Sequence, residues 1–406
     1  MTRAAQGVIA VPGVVGAVNV VRGEVALPAM VLKEAALANN LAVMGRYAED
    51  KGFLLAPHGK TTMAPALFRR QLEAGAWGMT VANLQQAAVA YDAGARRVIV
   101  ANEVVGPVDA RAVAKAVGTP GREIYCLVDS AEGVRLLDRN LSLSEISGRV
   151  DVLLEVGAIG ARGGVRSGEE GVAVASAVRA SEHLCLVGVE GYEGSIAADR
   201  SPEALAKIDT YLEALRLVAV RLAGAGAFRE GLPILISAGG SKYFDRVAQL
   251  LGPEADYQRH DVRLVVRPGC YLAHDHGAYA GASPLAGLDD ARFVPALEVW
   301  AEVVSAPESG LAIVGLGKRD VPHDLGLPIP LHIARHGQSE VEPFTEGALV
   351  RIDDQHGYLR LGSGLRVGDR VGFGISHPCT AFDRWRVVLM VDDDYTVLDR
   401  VFTFFH

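Results

Sequence analysis

A lysine stands beside a histidine and two threonines in the segment Pro57-His58-Gly59-Lys60-Thr61-Thr62. The apolar run Phe53–Leu55 before it indicates a buried strand, which the proline and glycine end. Partial burial at the mouth of a strand lowers the pKa of a lysine, and the free amine can then form a Schiff base. Because most lysines are solvated, the elements that position Lys60 decide whether it is catalytic.

Composition limits the classes of protein that the chain could belong to. The 406 residues carry a net charge of -8, and the basic residues are scattered rather than clustered, which disfavours a nucleic-acid partner and a basic binding stripe. No apolar run has membrane-spanning length, and the first sixteen residues lack a compact signal-peptide core. We therefore expect a two-domain cytoplasmic enzyme or binding protein.

Short apolar runs alternate with alanine-rich amphipathic segments from about residue 28 to residue 270. This alternation is typical of parallel βαβ units, and eight units predict an α/β fold with a (β/α)8 TIM-type barrel. A doubly wound sheet is the competing topology. The predicted strands are Phe53–Leu55, Gly78–Val81, Arg97–Ala101, Ile124–Val128, Val152–Val156, Leu184–Glu190, Pro233–Ser237 and Val262–Val266. The predicted helices are Val31–Lys51, Ala64–Ala74, Leu84–Asp92, Ala131–Asp138, Glu169–Ala180, Pro202–Ala223 and Tyr243–Leu250.

After about residue 280 the helical periodicity fades, and short β-like runs separated by turns predict a second, mostly β domain at the C-terminus. We place the barrel at residues 27–275 and the β domain at residues 1–26 and 276–406, with Val18–Ala26 as an added strand. The predicted strands of the β domain are Ala296–Val304, Leu311–Gly315, Ala348–Ile352, Tyr358–Leu361, Arg370–Phe373, Arg386–Val391 and Tyr395–Phe402.

Polar loops follow the predicted barrel strands at the end where barrel enzymes carry their active sites. Gly239-Gly240-Ser241 and Gly269-Cys270-Tyr271 follow strands seven and eight, where a phosphate group commonly binds to backbone N–H groups. Arg162 and Tyr192 follow strands five and six, and could bind a ligand oxygen and stack on a planar ring. A phosphate anchor, a ring site and an amine nucleophile are the three elements that pyridoxal phosphate needs.

A second group of candidate residues lies in the β domain. His377 and Cys379, two residues apart, can place an imidazole and a thiolate on one metal ion and leave positions open to water or substrate. A buried cysteine beside a loop histidine is the alternative interpretation. His356 is a further candidate that could equally be a turn histidine.

These motifs together resemble those of the fold-type III pyridoxal-phosphate enzymes, and specifically the D-serine dehydratase and D-threonine aldolase family, which is similar to alanine racemase. The stretch Pro57-His58-Gly59-Lys60-Thr61 is similar to the family's Pro-His-x-Lys-Thr motif, in which the lysine carries the cofactor. Arg162 resembles the family arginine near the phenolic oxygen of the cofactor, and Tyr192 lies in a similar Tyr-x-Gly motif. The loops at 239–241 and 269–271 match the family's phosphate-binding loops.

The resemblance extends to the β domain. His356-Gly357 resembles a Glu-His-Gly motif, with Gln355 in place of glutamate. His377-x-Cys379 is similar to the zinc pair of D-serine dehydratases, where the aldolases have His-x-Asp. One departure from the family pattern is Thr62-Met63 in place of the common His-Lys.

The resemblance implies a homodimeric lyase that acts on a small-molecule D-amino acid. In the activity that it favours, a D-3-hydroxy amino acid of the D-serine, D-threonine or 3-hydroxy-D-aspartate type loses its hydroxyl by β-elimination and yields a 2-oxo acid and ammonia. Lys60 would hold the cofactor and remove the α proton, and His356 would be catalytic. A divalent metal on His377 and Cys379, zinc or alternatively manganese, would stabilise the leaving hydroxide.

Three alternatives stay open at this point. The same metal could support retro-aldol cleavage to glycine and an aldehyde, although a cysteine ligand favours zinc and dehydration. An amino-acid racemase would need a second acid/base on the opposite face of the ring. A non-catalytic pyridoxal-phosphate carrier can be a lone barrel, and it would leave the His-x-Cys pair without a purpose.

Overall fold

The computed structural model describes residues 18–405 except 145, 288–291, 345 and 362–363. Its strands are β1 (Ala29–Lys33), β2 (Leu54–Leu55), β3 (Met79–Val81), β4 (Arg97–Glu103), β5 (Glu123–Val128), β6 (Val150–Val156), β7 (Leu184–Gly191), β8 (Ile234–Ala238), β9 (Val262–Val266), β10 (Leu297–Glu308), β11 (Leu311–Val314), β12 (Ile329–Ala334), β13 (Val341–Pro343), β14 (Gly347–Ile352), β15 (Gly357–Leu361), β16 (Arg370–Gly374), β17 (Val387–Val391) and β18 (Val397–Phe402).

The α-helices of the described residues are α1 (Glu34–Lys51), α2 (Pro65–Glu73), α3 (Leu84–Asp92), α4 (Pro107–Val117), α5 (Ala131–Ser142), α6 (Gly168–Ala180), α7 (Pro202–Gly224), α8 (Phe244–Leu251) and α9 (Cys379–Phe382). None of these helices combines the length and the apolar character that a membrane crossing requires.

The first sheet is a closed parallel barrel. Its eight strands are ordered β2-β9-β8-β7-β6-β5-β4-β3, and a parallel bridge between His58 and Thr80 joins the two ends of this order. The amide of Thr80 also donates to the carbonyl of Pro57 at 2.9 Å. The predicted (β/α)8 barrel is therefore confirmed, and the doubly wound sheet is excluded by the closure.

A small apolar cluster fills the inside of the barrel, as is usual for this architecture. Its members come from β4, β5, β6, β7 and β9 and from the residue after β2: Ile99, Tyr125, Leu127, Leu153, Val187, Val265 and Ala56. The larger core lies outside the strands, where the apolar faces of the helices pack against the sheet. The packed interior leaves the C-terminal mouth of the strands as the place for polar chemistry.

The second sheet confirms the mostly β unit at the C-terminus. Its strands run in the order β13-β12-β16-β10-β1-β17-β18, and β11, β15 and β14 extend it through β10. The sequence had not predicted β12 and β13, nor the barrel helix α4.

The start of the first predicted helix was wrong, because residues 31–33 lie in β1. This strand belongs to the second sheet, where it pairs antiparallel with β10 and parallel with β17. Residues 18–26 form an isolated bridge between Asn19 and Thr396 rather than the expected strand, and residues 1–17 lie outside the described part. The domain boundaries at residues 27 and 275 stay a prediction.

A buried carboxylate links several strands of the second sheet. Glu298 in β10 is 2% exposed, and the Nζ of Lys33 in β1 lies 3.0 Å from it. The Nε2 of His332 lies 3.6 Å away, and Trp300 Nε1 and the Tyr395 hydroxyl donate to the carboxylate at 3.1 and 3.0 Å. Burial alone would raise the pKa of Glu298, but the bonds and charges of His332 and Lys33 lower it to about 2.

Replacing Glu298 with glutamine is expected to lower the free energy of unfolding by about 3 kcal/mol at neutral pH, since it leaves Lys33 without its buried partner. The folded pKa lies below the unfolded one, so the ionised group stabilises the fold above about pH 4.3, and this contribution falls away as the pH drops towards 2. Urea denaturation of wild type and variant across this range measures the difference. Glu308→Gln, at the exposed end of the same strand, is the control. If the free energy of unfolding differed between wild type and Glu298→Gln by the same amount at pH 7 and at pH 2.5, the lowered pKa of Glu298 would be contradicted.

Candidate active site

Lys60 lies at the mouth of the barrel, in a single helical turn formed by Gly59–Thr61 in the loop after β2. The turn packs so closely on α2 that a Cβ on Gly59 would lie 2.6 Å from the Phe68 ring. The lysine side chain is exposed at the mouth, yet desolvation of its amine by the surrounding protein lowers the pKa of Lys60. The nearby thiolate of Cys379 opposes this shift, and the charge of Arg162 adds to it. Lys60 is thus placed as a nucleophilic amine should be.

His58 precedes this turn and is a neutral imidazole. Burial, together with the positive charges of Lys60, Arg267 and Arg162, lowers its pKa well below the usual value. Its Nδ1 is buried and has no hydrogen-bond partner among the described residues. The ring can therefore accept or donate one further hydrogen bond.

Sequence reasoning missed a buried ion pair at the floor of the mouth. Arg267, which directly follows β9, donates through Nη2 to Glu190 at 2.5 Å and to the carbonyl of Gly191 at 2.9 Å. Burial raises the pKa of Glu190, and the guanidinium opposes the rise. The Nε of Arg267 is buried without a partner among the described residues, so this donor is free to bond a ligand. Its position just past the eighth barrel strand was the signal that could have identified it.

Arg162 and Tyr192, predicted from separate loops, meet at the mouth. The guanidinium carbon of Arg162 lies 4.7 Å from the centre of the Tyr192 ring, a cation–π distance. The same ring lies against the next loop, because a Cβ on Gly240 would be 2.8 Å from its Cε2. Burial raises the pKa of Tyr192 to about 12, so its hydroxyl stays protonated.

The loops predicted to bind phosphate contact each other, but two of their N–H groups already have a protein partner. The buried carboxylate of Glu193 accepts from the amides of Gly239 and Gly240 at 3.1 and 2.6 Å. The expected phosphate contacts of these two amides therefore require Glu193 to give them up. The hydroxyl oxygen of Ser241 accepts from the amides of Gly269 and Cys270 at 3.2 and 3.0 Å. Its own proton can be donated to a ligand oxygen.

The side chain of Tyr271 points into the core, contrary to a direct role at the ligand. It is 1% exposed, and its hydroxyl accepts from the Nε2 of Gln71 at 3.0 Å. Only the backbone of Tyr271 can therefore belong to a phosphate loop. The pattern Gly-Cys-Tyr does not show in which direction the tyrosine side chain points, so the sequence could not predict this.

An acidic cluster lies under the loop that carries Arg162. Glu103, Asp129 and Glu155 stand at the ends of β4, β5 and β6, with one carboxylate oxygen of each within 4.8 Å of the others. Asp129 also accepts from the amide of Gly164 at 3.1 Å. Burial, with the neighbouring Glu103 and Glu190, raises the pKa of Glu155 to about 9. A protonated Glu155 reduces the repulsion in the cluster, because three carboxylates then carry at most two negative charges.

The structure brings His377 and Cys379 to the barrel mouth although they belong to the mostly β part of the chain that carries the second sheet, here called the second unit. The Sγ of Cys379 lies 3.4 Å from Oγ1 of Thr61, the residue after Lys60, and 3.6 Å from the Sγ of Cys270. The Cys270 thiol and the His377 imidazole as donors lower the pKa of Cys379 well below its usual value, although burial opposes them. The bond to Cys379 in turn raises the pKa of His377 to about 9.

An aspartate that sequence reasoning missed holds His377 in place. The Oδ2 of Asp324 lies 2.6 Å from Nδ1 of His377, and the Thr380 hydroxyl donates to the other oxygen at 2.9 Å. With Nδ1 occupied, Nε2 is the ring atom left for a metal, the arrangement that usually orients a histidine ligand.

His356 is not brought to this site by the described contacts. It is exposed in the turn between β14 and β15, where its carbonyl accepts from the amide of Asp353 at 2.8 Å. None of the described hydrogen bonds or ring contacts joins its side chain to Lys60 or Cys379. The predicted catalytic role of His356 stays a prediction.

A closed barrel followed by a β unit, with a lysine after the first barrel strand, defines the alanine racemase class of fold. The alanine racemase N-terminal domain model matches residues 32–241, and the serine dehydratase domain model matches residues 296–391. The first match covers more than half of the chain. The chain therefore belongs to the alanine racemase-like family of fold-type III pyridoxal-phosphate proteins.

Relatives of this chain extend over most of its length. It is 26% identical to a D-threonine aldolase of Arthrobacter sp. over 346 residues, which cover 84% of this chain and 82% of the relative. The crystal structure of D-threonine aldolase from Filomicrobium marinum superposes with a TM-score of 0.79 at 25% identity, covering 96% of this chain and 98% of that one.

A second similar structure is that of D-threo-3-hydroxyaspartate dehydratase from Delftia sp. HT23, with a TM-score of 0.73 at 23% identity, covering 93% of this chain and 97% of that one. A cysteine-to-alanine variant of that dehydratase is described in a metal-free form. At this identity the likeness shows the fold alone.

Proposed function

We propose that this protein is a pyridoxal-phosphate- and metal-dependent dehydratase that converts a D-3-hydroxy amino acid into a 2-oxo acid and ammonia. The observation that carries the proposal is the meeting of two chemistries at one barrel mouth. The loop of Lys60 touches the His377–Cys379 pair through the 3.4 Å contact between Thr61 and Cys379. An amine for the α carbon and metal ligands for the β-hydroxyl are thus side by side.

The donors at the mouth fit pyridoxal phosphate. Lys60 would hold the cofactor through Nζ, the buried and unpartnered Nε–H of Arg267 suits the pyridine nitrogen, and the Ser241 hydroxyl suits a phosphate oxygen. Because arginine does not give up its proton, Arg267 would bond the ring without protonating it. Bound there, the cofactor supplies an electron sink for negative charge at the substrate α carbon.

Lys60 is the base in this proposal. Its Nζ would remove the α proton, a role that requires the unprotonated amine. Desolvation at the mouth lowers the pKa of Lys60 and so enlarges the fraction of free amine at neutral pH. The charges of Arg162 and Arg267 act in the same direction.

The donors of the second unit fit a divalent metal. An imidazole nitrogen and a thiolate suit zinc better than magnesium or manganese, and two protein ligands leave positions open for substrate. A metal held by His377 and Cys379 would act as a Lewis acid on the β-hydroxyl. Asp324 would keep the imidazole turned so that Nε2 faces the ion.

Replacing Asp324 with asparagine is expected to weaken metal binding about 10- to 100-fold, because the charge that orients and polarises His377 is lost. Competition with a chromophoric chelator measures the affinity for zinc directly. Asp383→Asn, an exposed neighbour that pairs with Arg384, is the control and should bind zinc like wild type. Unchanged affinity in the Asp324 variant would show that the aspartate does not act through the metal.

Retro-aldol cleavage to glycine and an aldehyde is the second candidate. The name of the Arthrobacter relative, a D-threonine aldolase, favours it. It would use the same Lys60 and the same metal pair, but it needs a base for the β-hydroxyl proton. The neutral His58 beside Lys60 could supply that base.

D-threonine separates the two reactions, because elimination gives 2-oxobutanoate and ammonia whereas cleavage gives glycine and acetaldehyde. We expect 2-oxobutanoate from the holoenzyme with zinc, and less of it after chelation. D-serine and 3-hydroxy-D-aspartate tested beside it define the side chain that the site accepts. Glycine and acetaldehyde as the main products would replace the dehydratase proposal with the aldolase, and no turnover of any of the three would remove both. The homodimer and the cytoplasmic location stay predictions.

A further inference from the structure

Two cysteine sulfurs face each other between the barrel and the second unit. Cys270 lies in the loop after β9, and Cys379 is the first residue of α9. Their Sγ atoms are 3.6 Å apart, and no disulfide joins them. The two cysteines were predicted to have separate roles, Cys270 in a phosphate loop and Cys379 in a metal pair.

The spacing of the sulfurs suits a shared metal ion. Two thiolates on one tetrahedral zinc, each at about 2.3 Å, are about 3.8 Å apart, close to the observed 3.6 Å. A disulfide would bring them to about 2.05 Å. A hydrogen bond between a thiol and a thiolate has a similar spacing, so a metal site also requires a third ligand that can reach the sulfur pair.

The candidate for that ligand is the imidazole of His377. Its Nδ1 is occupied by Asp324, which leaves Nε2 as the ring nitrogen available to an ion. Among the described residues, the donor atoms of His377, Cys379 and Cys270 do not all lie within 4.8 Å of one another. Binding of a metal ion therefore requires the His377 imidazole to move closer to the two sulfur atoms. The His377 side chain, 25% exposed, has room for this movement.

We propose that Cys270 is a second thiolate ligand, so that His377, Cys379 and Cys270 hold one zinc ion and leave its fourth position to the substrate. This inference rests on the proposed metal-dependent function and adds a reason why the site would select one metal over others. Two soft sulfur donors select zinc over manganese and magnesium. Because Cys270 comes from the barrel and the other two ligands from the second unit, the ion also ties the two together.

The backbone role of Cys270 is separable from this ligand role. Its amide bonds the Ser241 hydroxyl at 3.0 Å, and a serine at position 270 keeps that amide. The Cys270→Ser variant should therefore still bind pyridoxal phosphate, which the visible absorbance of the holoenzyme checks. Retained absorbance also shows that the variant folds.

X-ray absorption at the zinc edge of the holoenzyme, kept under reductant, counts sulfur ligands directly. We expect two sulfurs in wild type, one in Cys270→Ser and one in Cys379→Ser. Cys185→Ser, at the opposite end of the barrel in β7, should keep two. Zinc affinity should fall at least 10-fold in Cys270→Ser, since even the loss of a residue that only orients a ligand costs about 10- to 100-fold.

Two results would overturn the inference in different ways. One sulfur in wild type, with zinc bound normally by Cys270→Ser, removes Cys270 from the site and leaves the proposed dehydratase intact. Zinc that fails to bind wild-type holoenzyme removes the metal from the proposed function altogether. The thermal midpoint gives an independent check, because zinc should raise it more in wild type than in Cys270→Ser.

Discussion

Replacing Lys60 with alanine is expected to lower kcat/KM for a D-3-hydroxy amino acid at least about 1,000-fold. The variant loses both the amine that would hold the cofactor and the base that removes the α proton. Among the described residues of the mouth, Arg162 and Arg267 keep their protons, and the lowered pKa of the buried His58 makes its imidazole a much weaker base than the amine of Lys60. Steady-state turnover with wild type and variant at equal cofactor loading measures the loss.

Borohydride reduction followed by peptide mass analysis locates the attachment point of the cofactor. We expect the adduct on the peptide that contains Lys60 in wild type and no adduct in the variant. Lys51→Ala, at the exposed end of α1, is the matched control and should behave like wild type. Added methylamine should restore part of the activity of Lys60→Ala. A variant that keeps full turnover would remove the lysine from the mechanism.

The pH dependence of turnover should follow the same residue. The unprotonated amine is the active form, so activity falls as the pH drops through the pKa of Lys60. Because desolvation lowers that pKa, the acidic limb of the profile should lie at lower pH than the titration of a solvated lysine. This limb should be absent from the residual activity of Lys60→Ala in methylamine.

The barrel was predictable because its strands are short, buried on both faces and separated by helices of regular period. Each predicted barrel strand overlaps an observed one, since such runs admit few other structures. The start of α1 was not predictable in the same way. The residues Ala29–Lys33 run into the helix without a proline or glycine, so only the pairing of β1 with β10 and β17 reveals the strand.

In the candidate site, too, residues with a local sequence signal were predictable and contacts between distant residues were not. Lys60, Ser241 and Cys379 could be predicted as candidates because residue type and the nearby turn together point to chemistry. The buried pair of Arg267 and Glu190 joins residues 77 positions apart, and a single sequence does not encode such a partner locally. For the same reason the glycines at 239 and 240 predicted a phosphate loop but not that Glu193 already bonds their amides.

The proximity of Thr61 and Cys379 joins two predictions that were independent in the sequence. A lysine motif in the barrel and a metal pair in the second unit are more than 300 residues apart. In the proposed reaction, this contact would let different residues reach the α carbon and the β-hydroxyl of one small substrate. Proton removal by Lys60 and departure of the hydroxyl at His377 and Cys379 should therefore be separable by mutation.

Replacing His377 with alanine is expected to slow β-elimination about 1,000-fold. A Lewis acid at the leaving oxygen stabilises the transition state by several kcal/mol, and the variant would lose this stabilisation. The variant should lose zinc and keep the absorbance of bound cofactor. His323→Ala, an exposed histidine one residue before Asp324, is the control and should keep both zinc and turnover. Release of 2-oxo acid from D-serine measures elimination.

A substrate without a β-hydroxyl tests the division of labour more sharply. D-alanine can exchange its α proton with deuterium from the solvent, and this exchange requires a base but no leaving group. His377→Ala should therefore exchange D-alanine at nearly the wild-type rate, whereas Lys60→Ala should not exchange it at all. If the His377 variant lost exchange and elimination equally, the metal pair would be supporting the fold of the mouth or the binding of the cofactor. Only loss of elimination with retained exchange places His377 and Cys379 at the carbon–oxygen bond.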